Sequence, residues 1–254
     1  GAMRLAEPET ETMAFIRSVN VSSSNVETRK EPDIFIENLA PYTVGEFREV
    51  TACTSLMADS LSAYVSGELK SAASSALEVF NRYSLFVFDS LDGDGRLSVL
   101  AEPTRLTPPE GMAYVRVIHA AEGDPALTAT VLARGDTSDL GFQNGVKLSD
   151  LLYYGRIGSP VMVREGLLPL GIFTSGTPSR LLFATTARVE KGKNYVMVIS
   201  KTVNGDYKIA MIEDEDENQS IDFYEESVYC SFVNMVAGPN YVNLALKSDK
   251  ESVF

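Results

Sequence analysis

One short apolar segment occurs three times in this chain and constrains the fold more than any other feature. Its copies lie at residues 15–21, 114–120 and 229–235. Each copy begins with an aromatic residue, continues through β-branched or bulky apolar residues, and has Asn, His or Asn at its sixth position. A strand that recurs at domain-sized intervals is typical of tandem copies of one β unit. The segment therefore predicts a repeated all-β architecture.

The other strands and turns follow the same order in the first two copies. Tyr114 lies 99 residues after Phe15 (114 − 15), and Tyr195 lies 112 residues after Tyr83 (195 − 83). The hairpin turns that follow these tyrosines also differ by 112 residues. The offset between the copies grows only in small steps, each of which a loop can absorb, whereas chance similarity would scatter. These offsets favour a duplication.

Residues 68–79 contain good helix formers and in isolation would be predicted as helix. The matching stretch of the second copy, residues 180–189, is rich in residues that favour strands. Since copies of one unit share one fold, we predict mainly strand for 68–79 as well.

We predict two tandem Ig-like or Greek-key β-sandwich domains, with an incomplete third repeat at the C-terminus. The domains are expected at 13–108 and 112–222, after a tag scar and flexible lead-in at 1–12. The first two strands of the third repeat are expected at 227–254. A lone hairpin is marginally stable in water. These strands therefore belong to a truncated array or pair with a sheet edge, and self-association or strand donation through 229–246 is one expectation.

A family resemblance rests on residues 114–127, Tyr-Val-Arg-Val-Ile-His-Ala-Ala-Glu-Gly-Asp-Pro-Ala-Leu. This segment resembles the opening of the bacterial family called domain of unknown function 4397, an R-[FV]-[VI]-[NH]-A strand followed by an Asp- and Pro-bearing loop. Gly-Lys-Asn-Tyr-Val-Met-Val at 192–198 is similar to the family's G-x-x-Y-T-V-V strand, and the first copy lacks this Gly. The resemblance implies an all-β sandwich in exported or surface-anchored bacterial proteins, and it carries no catalytic residue.

The charge and the motifs of the chain disfavour several classes of function. A net charge of −13 repels polyanions, so no nucleic-acid partner is expected. No apolar run approaches the roughly 18 residues that a transmembrane helix needs, so no transmembrane segment is expected. The sequence has no Gly-rich phosphate loop, no Gly-x-Ser-x-Gly and no Cys-x-x-Cys. We therefore expect no cofactor.

The single histidine of the chain, His119, limits the catalytic possibilities. Catalytic triads and zinc sites that need imidazole are reduced to this one candidate. His119 occupies the strand position held by Asn20 and Asn234 in the other copies. This exchange predicts a hydrogen-bonding side chain that ties down the following turn.

Two acidic segments are candidates for metal binding. The Asp-rich turn at 89–94 lacks the first ligand and the closing Glu of a calcium loop, so a plain hairpin turn is preferred. The acidic run at 213–217 is by default a solvated linker, with weak binding of divalent ions as the alternative. The candidate ligands are Asp89, Asp92, Asp94, Asp214 and Asp216.

Four aromatic residues, Phe142, Tyr153, Tyr154 and Phe173, are candidates for a sugar- or peptide-binding surface. Core filling is the commoner role for such residues. We expect a non-enzymatic protein that acts as a structural spacer, assembly or adhesion module and is exported to the cell surface, extracellular space or periplasm. We also expect that a signal peptide has been removed. The alternative is a glycan- or peptide-binding module that uses the aromatic face or an inter-domain cleft.

Overall fold

A computed structural model describes residues 13–22, 34–36, 48–57, 60–65, 72–76, 78–91, 96–101, 106–227, 245–246 and 252–253. Their regular structure is nearly all strand. This confirms the predicted all-β fold. No helix in these residues is long and apolar enough to cross a membrane.

The chain divides into two compact units. Unit 1 comprises Gly1–Thr104 with Glu215–Ile221, and unit 2 comprises Arg105–Asp214 with Asp222–Phe254. The first strands are β1 (Met13–Asn20), β2 (Ile34–Ile36), β3 (Glu49–Val50), β4 (Thr54–Met57), β5 (Ser60–Val65), β6 (Ala72–Ala76), β7 (Arg82–Phe88) and β8 (Arg96–Ala101). Unit 2 continues with β9 (Met112–Ala120), β10 (Leu127–Val131), helix α1 (Asp139–Gln143), β11 (Val146–Leu152), β12 (Val161–Arg164), β13 (Gly166–Thr174), β14 (Leu181–Val189), β15 (Asn194–Lys201) and β16 (Tyr207–Glu213).

Short strands follow β16. The first, β17 (Gln219–Ser220), belongs to unit 1, and the next, β18 (Phe223–Tyr224), belongs to unit 2. Near the C-terminus β19 (Ala245–Leu246) pairs antiparallel with β20 (Ser252–Val253). The first strand predicted for the third repeat and most of the second, residues 229–244, lie outside the described residues.

In the described residues each unit contains two larger sheets, and β19-β20 forms a separate two-stranded sheet in unit 2. In unit 1 the first sheet has the order β17-β3-β1-β7-β8, with β4 also paired to β1, and the second has the order β2-β5-β6. In unit 2 the corresponding orders are β12-β9-β15-β16-β18 and β11-β10-β13-β14. The first strand of each unit runs parallel to the strand that opens the later hairpin, so β1 pairs with β7 and β9 with β15.

The parallel pairs of the two units have the same register. Phe15 lies opposite Arg82 in unit 1. Adding the sequence offsets of 99 and 112 residues to this pair gives Tyr114 opposite Asn194, which is the pair found in unit 2. A slip of one residue would turn every side chain of a strand to the opposite face of the sheet. Equal registers therefore place equivalent side chains on equivalent faces.

A left-handed backbone turn before the hairpin also recurs. Phe80 has φ +64° and its N–H donates to the Met13 carbonyl, while Gly192 has φ +79° and donates to the Met112 carbonyl. This conformation costs a residue with a side chain about 1–2 kcal/mol of conformational energy, a cost that glycine does not have. The first copy therefore keeps the turn although it lacks the glycine.

Exchanging the residues at these two turns should change stability in opposite directions. Phe80→Gly should raise the free energy of unfolding by about 0.5–1 kcal/mol, because backbone relief exceeds the entropy that glycine adds to the unfolded chain. The Phe80 side chain is 64% exposed, so little packing is lost. Gly192→Ala should lower the free energy of unfolding by about 1 kcal/mol through backbone strain alone, since the new methyl group meets no atom within 4 Å. Urea unfolding measures both, and a loss of stability in Phe80→Gly would contradict the expectation.

The helix-forming stretch of the first copy contains a strand, as predicted. Residues Ala72–Ala76 form β6, which pairs antiparallel with β5. In unit 2 the equivalent β14 pairs antiparallel with β13. The ladder with a neighbouring strand therefore outweighs the helix propensity of an alanine-rich sequence.

The two larger sheets of unit 2 share one hydrophobic core, as expected for a β-sandwich. Fully buried side chains come from both sheets: Val115 and Val117 of β9, Leu127 of β10, Leu170 and Ile172 of β13, and Met197 and Ile199 of β15.

Candidate functional site

A segment from the C-terminal part of the chain covers one edge of the first sheet of unit 1. In it β17 pairs antiparallel with β3, with Gln219 opposite Val50. The N–H of Ile221 donates to the carbonyl of Arg48 at 2.6 Å. We call residues 215–221 the strap. An uncovered edge strand presents unpaired N–H and C=O groups, and the strap satisfies those of β3.

Polar side chains add to the backbone pairing of the strap. Arg17 is 1% exposed, its Nε donates to Ser84 Oγ at 3.0 Å, and its Nη1 donates to the Asp216 carbonyl at 2.9 Å. The backbone N–H of Cys53 donates to Glu217 Oε1 at 3.1 Å. Burying a guanidinium is costly unless it is hydrogen-bonded. The strap therefore supplies a partner that the buried Arg17 needs.

The linker interpretation of the acidic run at 213–217 is corrected by these contacts. Asp214 is buried, Asp216 is half-buried, and the residues that follow form an edge strand. Hydrogen bonds to β3 and to Arg17 offset the repulsion between neighbouring carboxylates. The side chains of Glu215 and Glu217 remain exposed.

The candidate metal ligands that the structure describes are Asp89, Asp214 and Asp216. Asp89 is buried at the end of β7 in unit 1, whereas Asp214 lies at the end of β16 in unit 2. Asp92 and Asp94 lie outside the described residues. Among the residues whose placement is described, no group of three or more His, Cys, Asp or Glu side chains could hold a metal ion.

Of the four candidate aromatic residues, two contact each other and the other two are adjacent in the sequence. Phe142 and Phe173 pack with ring centroids 4.5 Å apart, and Phe173 is 3% exposed. Lys147 Nζ lies 5.4 Å from the Phe142 ring centroid. Tyr153 and Tyr154 follow β11 and are exposed, Tyr153 by 58%. Phe173 is thus buried with Phe142 half-buried beside it, whereas Tyr153 and Tyr154 are exposed to solvent.

His119 has the role that its exchange with asparagine predicts. Its Nδ1 accepts a hydrogen bond from the Ala121 N–H at 3.2 Å, and its Nε2 lies 3.0 Å from the Pro125 carbonyl. In unit 1, Asn20 Oδ1 accepts a hydrogen bond from the Ser22 N–H at 3.1 Å. In both units the donor therefore lies two residues after the side chain that accepts. Because Nδ1 accepts, the proton lies on Nε2 and the ring is neutral. The structural role predicted for this histidine is confirmed.

His119→Asn should remove a pH-dependent part of the stability. Burial lowers the pKa of His119 in the folded chain, so the unfolded chain, with its ordinary pKa near 6.5, binds the proton more readily. Stability should therefore be constant above about pH 7 and fall as the pH drops from about 6.5 through the folded-state pKa. Urea midpoints at several pH values for both proteins measure this difference. Equal pH profiles would contradict the role of His119.

A polar cluster that the sequence did not reveal lies beside this turn. Lys201 Nζ is 2.8 Å from Asp124 Oδ1, and the Tyr207 hydroxyl donates to Asp124 Oδ2 at 2.6 Å. Burial, reinforced by the Asp124 carboxylate, raises the pKa of Tyr207. Both oxygens of Asp124 are therefore used in tying the loop after β9 to the β15–β16 hairpin.

Comparisons with known proteins do not assign a family. No protein-family model matches the chain, and no curated protein matches it. The resemblance to domain of unknown function 4397 therefore stays a prediction.

Proposed function

We propose that this chain is a non-enzymatic assembly module of an exported or cell-surface bacterial protein. In this role, extended chain segments dock on the sheet edges of repeated β units. The strap carries the proposal, because a segment that follows β16 of unit 2 completes a sheet of unit 1. Addition of a strand to a sheet edge is a common mode of polypeptide recognition, in which main-chain hydrogen bonds supply the affinity.

The path of the chain favours the role of an assembly module and disfavours that of a load-bearing spacer. In unit 1 the start of β7 lies opposite β1, and Tyr83 of β7 lies opposite Ala101 at the end of β8. In unit 2 Tyr195 of β15 lies opposite Glu213 in the same way. In each unit the hairpin therefore brings the chain back to the end of the first sheet at which it entered. In unit 1, a pull on the start of β1 and the end of β8 would peel the strands apart from one end instead of shearing the sheet.

Replacing residues 215–221 with a Gly–Ser linker of equal length tests the assembly role. Unit 1 should lose about 1–3 kcal/mol of stability, because several edge hydrogen bonds and a partner of Arg17 disappear. Unit 2 should be unchanged. A synthetic peptide of residues 215–221 added in trans should restore the stability of unit 1. The control peptide carries proline in place of Gln219, which removes the N–H that the ladder needs.

Two outcomes would contradict the proposal. The first is unchanged stability of unit 1 after the strap is replaced. The second is saturable stabilisation of the intact chain by an oligosaccharide, lost in Tyr153→Ala, in a thermal-shift screen. That result would favour the glycan-binding alternative, which the exposed Tyr153 and Tyr154 support.

A further inference from the structure

Unit 2 has an edge equivalent to the one that the strap covers in unit 1. Ile157 forms an antiparallel bridge with Ile118 of β9, as Val50 does with Val19 of β1. The turn before the bridge also recurs, since Gly155 has φ +76° where Arg48 has φ +65°. We call residues 155–158 the unit 2 edge.

The hydrogen bonds around Ile157 fix the direction of its backbone groups. The Gly158 N–H donates to the Val117 carbonyl at 2.8 Å, and the His119 N–H donates to the Arg156 carbonyl at 3.1 Å. In an antiparallel ladder, a residue whose neighbours make such bonds points its own N–H and C=O away from that partner strand. The backbone groups of Ile157 therefore face the side that β17 occupies in unit 1. Within the described part of unit 2, no strand pairs on that side.

Arg116 takes the position of Arg17. The burial patterns of β1 and β9 agree at every equivalent position but this one, since Arg17 is buried and Arg116 is half-buried. The Nη1 of Arg17 donates to the strap carbonyl of Asp216, whereas the Nε of Arg116 donates to the Gly158 carbonyl at 3.1 Å. Arg156, beside it in the chain, is exposed. The unit 2 edge therefore combines outward backbone groups with positive charge.

We propose that the unit 2 edge docks an extended acidic segment supplied by another polypeptide chain. The segment pairs with the backbone of Ile157 as Gln219 of the strap pairs with Val50, and its carboxylates lie near Arg116 and Arg156. The sequence of the strap indicates the chemistry of this partner. It should have carboxylate residues first, followed by uncharged polar residues that pair with the edge strand. The inference rests on the proposed assembly role and names the kind of partner that the role requires.

Binding of a labelled peptide with the sequence of residues 213–222 to the intact chain tests the proposal. The strap of the intact chain already occupies the edge of unit 1, so saturable binding reports on the unit 2 edge. We expect amide shifts centred on Ile157. Ile157→Pro removes an outward N–H and should weaken binding at least about tenfold, while Ile157→Val should bind as the parent does. A peptide with proline in place of Gln219 repeats the test without altering the protein.

Several results would overturn the proposal. These are the absence of saturable binding, equal binding of the proline-containing peptide, and shifts confined to unit 1. Dimerisation of the chain alone that Ile157→Pro abolishes would assign the edge to a second copy of the chain instead. The strap-replacement experiment measures unit 1 only. If that experiment succeeds and the peptide fails, the assembly role stands and this inference falls.

Discussion

Ile172→Ala should lower the free energy of unfolding of unit 2 by about 2–5 kcal/mol. Ile172 is fully buried at the centre of β13, opposite Ala129 of β10 and Phe183 of β14. Removing the larger side chain leaves a cavity between the two sheets. The ladders on both sides hold β13 in register, so the surrounding side chains can fill this cavity only in part.

Leu167→Ala provides a control on the same strand. Leu167 is 50% exposed, so its truncation should change stability by no more than about 0.5 kcal/mol. Urea unfolding followed by tyrosine fluorescence measures both variants, since the chain contains no tryptophan. Equal losses in the two variants would mean that the faces of β13 are assigned wrongly.

Asp124→Ala should cost about 2–4 kcal/mol, the second largest effect that we expect. The side chains of Asp124 and Lys201 are 12% and 19% exposed, and the Tyr207 hydroxyl donates to the same carboxylate. The substitution leaves a mostly buried ammonium without its carboxylate and a hydroxyl without its acceptor. The exposure that remains makes the expected loss smaller than for a fully buried pair.

The matched control removes an ion pair from the surface. Glu190 Oε2 lies 2.6 Å from Lys193 Nζ, but the Glu190 side chain is 64% exposed, so Glu190→Ala should lower stability much less than Asp124→Ala does. A double-mutant cycle between Asp124→Ala and Tyr207→Phe then isolates the hydrogen bond. Similar losses for Asp124→Ala and Glu190→Ala would show that the polar cluster adds nothing beyond surface charge.

Repetition made much of the fold accessible from the sequence. The segment Ala72–Ala76 looks helical by composition, and only its counterpart at 181–189 showed that it belongs to a sheet. The same comparison placed His119 and Asn20 in one structural role. In both cases a second copy supplied the tertiary context that local propensity lacks.

The strap could not be predicted in this way. Its strand is two residues long, too short for an alternating pattern, and its partner Val50 is far away in the chain. The carboxylates at 215–217 suggest a solvated segment. Nothing in the sequence shows that the buried Arg17 donates a hydrogen bond to its backbone. Long-range pairing of short strands depends on the tertiary fold, which sequence periodicity does not record.

The aromatic candidates show a second limit. Sequence composition could not separate Phe142 and Phe173, which pack together, from the exposed Tyr153 and Tyr154. The cluster of Asp124, Lys201 and Tyr207 was missed for a related reason. Its members come from a loop and a hairpin that lie far apart in the chain, and neither carries a recognisable motif.

The shared strand register can be tested most directly in solution. In NOE spectra of the isotopically labelled chain, we expect inter-strand contacts that join Ile16 to Tyr83 in unit 1 and Val115 to Tyr195 in unit 2. Contacts shifted by one residue in either unit, or the absence of parallel contacts in one of them, would contradict the repeated fold and the edge equivalence inferred from it.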